Sequence, residues 1–142
     1  MTNEDFYEAA IRHWIDGIIL EEKGEYDNAV CMQGFAAECA LKKIMDMLHV
    51  MNDVKRYNHF GEELFQDIKM ILLGDLEMTT LIHPSYGLRL SAISLPVVLF
   101  QDHPGRRYFK DGSYSKEDAK KCKDAVNNLI GEMAKMYLDG YS

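Results

Sequence analysis

Between Ala119 and Tyr137, apolar residues recur every three or four positions: Ala119, Cys122, Val126, Leu129, Met133 and Met136 or Tyr137. That period lines one stripe of an α-helix and is incompatible with a strand, whose faces alternate every two residues. A stripe this long specifies a helix packed lengthwise against others. The preceding Ser115-Lys116-Glu117-Asp118 resembles a capping box, with Asp118 where glutamate is usual, so the helix is predicted to start there and to reach about Leu138.

The same period appears upstream. Phe6, Ala10, Ile11, Trp14, Ile18 and Ile15 form a stripe in a first helix that Thr2 or Asn3 would cap. Gly24 interrupts it and Tyr26-Asp27 restart it, which predicts an antiparallel helical hairpin. The second helix is predicted from about Tyr26 to His49 or Val50. Its Gly34, Ala36, Ala37 and Ala40 are small and admit a close neighbour, so it is expected at the centre. A third helix is predicted from His59 to Gly74, with Leu64, Phe65, Ile68, Ile71 and Leu72 on its apolar face, and a short one over Leu76 to Ile82. The apolar run LRLSAISLPVVLF (88–100) is predicted helical, with Pro96 either kinking it or standing in its first turn. QDHPGRRYFKDGSYS (101–115) is the longest loop-like stretch. No segment alternates convincingly as a strand would. The predicted fold is all-α: an up-and-down bundle of four long helices plus one or two short ones, in a single domain spanning residues 1–142.

The 142-residue length suits one core. No apolar run approaches the roughly 20 residues of a membrane span, and the acidic start MTNEDFYEAA lacks the layout of a secretory signal, so a cytoplasmic protein is expected. The net charge of −7 argues against coating nucleic acid by bulk charge. It leaves room for a local basic patch, and Arg106, Arg107, Lys110, Lys116, Lys120, Lys121 and Lys123 do cluster late in the chain. The three cysteines, Cys31, Cys39 and Cys122, lie in helical patterns without ligand spacing and are expected as free buried thiols. Paired Glu-x-x-His motifs, a P-loop, a Rossmann glycine pattern and a nucleophile elbow are all missing, so neither a metal nor a cofactor is expected.

One carboxylate stands out. Glu38 sits beside the apolar stripe of the second helix, one turn before Lys42. An exposed Glu38/Lys42 pair would add a few tenths of a kcal/mol, roughly, to helix stability. A buried Glu38 would need a partner, which an arginine of HPGRRY could supply from the distant loop.

These segments together resemble the HEPN domain family, the nucleotide-binding domain of higher eukaryotes and prokaryotes. GEYDNAVCMQGFAAECALKKIM (24–45) is similar to the family's central hairpin: a glycine-aromatic turn, then an alanine-rich helix with A-x-E-x-x-x-K, here Gly24, Tyr26, Ala29, Ala36 or Ala37, Glu38 and Lys42. NHFGEELF is similar to its H-x-x-x-x-L segment, at His59 and Leu64. GRRYF resembles the R-Y stretch before its last helix. The likeness covers roughly residues 8 to 137. It implies an all-helical fold, frequent dimerisation, and either RNA cleavage or binding of RNA, nucleotides or a small nucleotidyltransferase-fold partner, often in toxin–antitoxin or defence systems.

The RNA-cleaving members carry R-x4-6-H, in which histidine moves the 2′-hydroxyl proton and arginine holds the phosphate. No arginine of this chain has a histidine at that separation. The expected function is therefore a non-catalytic domain that binds nucleotide or RNA, or a nucleotidyltransferase-type partner, as a homodimer. Its expected site residues are Glu38, Lys42, His59, Arg106, Arg107 and Tyr108, with the arginines on phosphate and Tyr108 stacked on a base. Alternatives are a divergent endoribonuclease, using Arg56 with His59 or His103 with Arg106, and a plain dimerisation or scaffold module.

Overall fold

A computed structural model of the chain describes residues 5–47 and 92–140, and every structural statement below concerns these residues. The predicted helices over 59–74 and 76–82, and with them His49, His59 and Arg56, lie outside them.

The described residues are helical and contain no strand. Helix α1 spans Phe6–Glu22, α2 Tyr26–Met47, α3 Val97–Phe100 and α4 Lys116–Leu138, with a 3₁₀ turn, η1, at Gly105–Tyr108. None of these helices is long and apolar enough to cross a membrane. The α1 cap is Asp5, whose side chain accepts from the Glu8 backbone N–H at 3.0 Å, and not Thr2 or Asn3. A carboxylate three residues ahead of that orphan donor satisfies it and opposes the helix dipole. Helix α4 starts on the predicted capping box: Ser115 Oγ accepts from Asp118 N at 3.1 Å, and Asp118 Oδ2 accepts from Ser115 N at 3.0 Å.

Cross-helix contacts give the directions. Lys42 lies over the Phe6 ring and Gln33 Nε2 donates to the Trp14 carbonyl, so α1 and α2 are antiparallel. Tyr7 stacks on Tyr137, Trp14 Nε1 donates to Asn127 and Lys123 pairs with Glu21, so α1 is antiparallel to α4 as well. Helices α2 and α4 therefore run parallel. Helix α2 is the most buried, and its alanines at 29, 36, 37 and 40 pack with Leu41, Ile44, Met45, Leu129, Met133 and Met136. The α1 stripe differs from the predicted one: Ala10 and Gly17 are buried and Tyr7, Ile11, Trp14 and Leu20 pack on the core, whereas Ile15 is exposed.

The run 88–100 is not one helix. Residues 93–96 leave helical geometry, and Pro96 is the N-cap of the four-residue α3. Its ring disfavours helical backbone in Leu95 and removes a donor, so helix restarts beyond it. The cysteines are free; Cys31 and Cys122 are buried and Cys39 half-buried. Burial pushes the Cys122 thiol up to about 12 and, with Glu38 adding, the Cys39 thiol to about 11.

Candidate functional site

The small face of α2 receives a loop. A Cβ on Gly34 would stand 2.5 Å from Arg106 Nη2, 2.8 Å from His103 Nδ1 and 3.2 Å from the Leu99 carbonyl oxygen. Real side chains do not approach so closely, so glycine at this position is what lets residues 99–106 lie against the helix.

Three attachments hold that loop. In the first, His103 Nε2 lies 2.9 Å from Glu38 Oε1, and Lys42 Nζ donates to Glu38 Oε2 at 3.1 Å. The His103 side chain is 1% exposed and that of Glu38 8%. The partner HPGRRY lends to Glu38 is thus its histidine, not an arginine. Arg106 is occupied elsewhere, and this is the second attachment. Its Nη1 donates to the carbonyls of Val98 and Gln101, and its Nη2 to those of Leu99 and Val30. The tight α3 turn leaves several carbonyls facing one point, and the planar fork of a guanidinium supplies enough donors to meet them. Arg106 is 2% exposed, and its two terminal nitrogens are satisfied by carbonyls while its Nε is buried without a hydrogen bond. In the third attachment, Asp27 in the first turn of α2 accepts from Gly112 N at 2.7 Å and from Tyr114 N at 2.9 Å.

What the pinned loop displays is different in kind. Arg107 is exposed, with its guanidinium 5.0 Å from the Tyr108 ring centroid. Tyr108 is 79% exposed and Phe109 47%. A cation and two aromatic faces in water, on a backbone that cannot collapse over them, can take a phosphate and a stacked base. Beside them opens a small cleft of about 50 Å³, open to solvent on one side and lined by Asp27, Asn28, Cys31, Arg106, Arg107, Phe109, Asp111, Ser113 and Tyr114.

The expected site residues thus fall into two groups. Glu38, Lys42 and Arg106 belong to the inner brace; Arg107 and Tyr108 form the outer edge; His59 lies outside the described residues. Phosphate contact by Arg106, expected from sequence, is replaced by its carbonyl contacts. Sequence reasoning missed Asp27 as the anchor of the loop and Phe109 as a third exposed group. An aspartate at a helix start reads as a dipole partner, and nothing local shows that residues 112 and 114 come to it. Gly34 was expected to admit a helix; it admits a histidine and an arginine.

Near the brace, Phe35 stands between His103, 4.7 Å away edge-on, and His13, 5.9 Å away. His13 has its Nδ1 buried without a hydrogen bond. Burial holds its pKa below the ordinary value, and Arg12 lowers it further. Among the described residues no group of three or more histidine, cysteine or acidic side chains is placed to hold a metal. No family model, curated protein or solved structure matches this chain.

Proposed function

We propose that this chain is a HEPN-like helical module that binds a nucleotide or a short single-stranded RNA segment through Arg107, Tyr108 and Phe109, without cutting it. The observation that carries this reading is the 79% exposure of Tyr108 beside the Arg107 guanidinium, on a loop pinned by His103, Arg106 and Asp27. Exposed aromatic surface is unfavourable in water, and a rigid loop that maintains it favours a ligand that stacks. His103 is the one described histidine adjacent to this loop, and its ring is buried against Glu38. A group that moves a proton in RNA cleavage has to reach the 2′-hydroxyl. The brace therefore supports holding over cleaving.

The same reading takes the chain as a homodimeric up-and-down bundle whose remaining long helix lies between α2 and α3. The parallel course of α2 and α4 supports the up-and-down course alone, since the chain has to travel back along the bundle to enter α4 in the direction of α2. A small nucleotidyltransferase-type protein is the companion the family likeness implies.

Fluorescence anisotropy with a labelled single-stranded RNA tests the reading. Micromolar affinity is expected, weakening with salt. Arg107→Ala and Tyr108→Ala should each weaken it about tenfold, the alanine cost of one stacked base or one phosphate contact. The RNA should be recovered intact, and sedimentation should give a two-chain mass. Unchanged affinity in both variants would sink the proposal.

A further inference from the structure

The cleft beside Arg107 bears on which base would be held. We infer that it selects guanine, with Asp111 reading the base edge; this rests on the nucleotide-binding reading above and adds the identity of the base to it.

Two aspartates, 27 and 111, and two arginines, 106 and 107, line the cleft, so its formal charges cancel and a phosphate at its rim is not repelled. The four differ in what they have left to offer. Both oxygens of Asp27 already accept backbone N–H groups, and both terminal nitrogens of Arg106 serve carbonyls while its remaining Nε is buried. Arg107 is exposed, and Asp111 is exposed with no hydrogen bond or ion pair among the described residues. The cleft therefore presents one exposed cation and one exposed carboxylate without a partner among the described residues, with Phe109 and Tyr114 also in its lining.

An ionised carboxylate only accepts hydrogen bonds. It matches a base edge with two adjacent donors. Guanine has that edge in N1–H and the exocyclic N2 amine. Adenine places the acceptor N1 beside its N6 amine, cytosine places N3 beside N4, and uracil flanks N3–H with two carbonyls. Each of those three sets a lone pair against the carboxylate. With guanine on Asp111 and stacked on Phe109, its phosphate falls to Arg107.

Calorimetry with 5′-GMP and 5′-AMP tests this. The wild-type chain should bind GMP about tenfold or more tighter than AMP, the discrimination that one two-point base contact gives. Asp111→Asn should bring the two within about twofold by weakening GMP alone. Arg107→Ala should weaken both by the same factor, because it acts on phosphate. Equal binding of GMP and AMP by the wild type, or a preference that survives Asp111→Asn, overturns the guanine assignment and leaves nucleotide binding standing. Failure of both nucleotides to bind overturns both.

Discussion

Gly34 shows how one residue can matter through what it lacks. Alanine is the better helix former by about 1 kcal/mol, so a helix considered alone gains from Gly34→Ala. Here the added methyl would meet Arg106 Nη2, which donates to two carbonyls, at 2.5 Å, and at 2.8 Å His103 Nδ1, on a buried ring whose Nε2 is bonded to Glu38. Neither can retreat without releasing a carbonyl or a carboxylate. Gly34→Ala is therefore expected to destabilise the fold by about 2 kcal/mol, the cost typical of overpacking a filled interior. Urea denaturation measures it; a stabilised variant would show that the loop yields freely. Glu38 illustrates the converse. Its unusual place was legible from the small residues around it, and the need for a partner followed from the energetics of buried charge. The partner's identity was not legible, because an arginine and a histidine three residues apart in one loop are equally eligible until the loop has a shape.

At the scale of elements, legibility followed locality. The α4 helix and its cap were readable nearly to the residue, since the apolar period and the capping box lie within one segment. Within the run 88–100, residues 93–96 depart from the expected helix because apolar content alone does not separate a helix from a short turn packed on a core, and the proline decided it. The 101–115 loop read as irregular, yet its order comes from α2, through contacts 65 to 87 residues apart in sequence. Asp27 is the plainest case. Removing it as Asp27→Ala should cost about 2 kcal/mol, as expected for hydrogen bonds to a charged acceptor. It should also speed amide exchange at Gly112 and Tyr114 while leaving the α4 amides protected. Exchange rising equally in all three places would mean that the bond holds the whole bundle and not the loop.

For the molecule as a whole, acid is the informative perturbation. The His13 ring is held neutral in the fold, by burial first and by Arg12 second. The unfolded chain therefore takes up that proton at a higher pH than the folded chain. Stability is full above the ordinary histidine value of 6.5 and declines as pH falls from there toward the lowered folded value. Replacing the ring as His13→Phe should flatten this limb of the stability profile between pH 7 and pH 5, measured by urea titration at each pH against the wild type. An unchanged slope would place the acid sensitivity in other groups.

The Arg106 fork has a consequence for synthesis. It donates to Val30, in a helix made 76 residues earlier. The α1/α2 hairpin thus leaves the ribosome with its glycine notch empty and Glu38 without His103, and both stay so until the segment around residue 106 emerges. A chain interrupted before that point carries an open notch on its most buried helix. The notch is therefore closed late in synthesis, by His103 and Arg106 together.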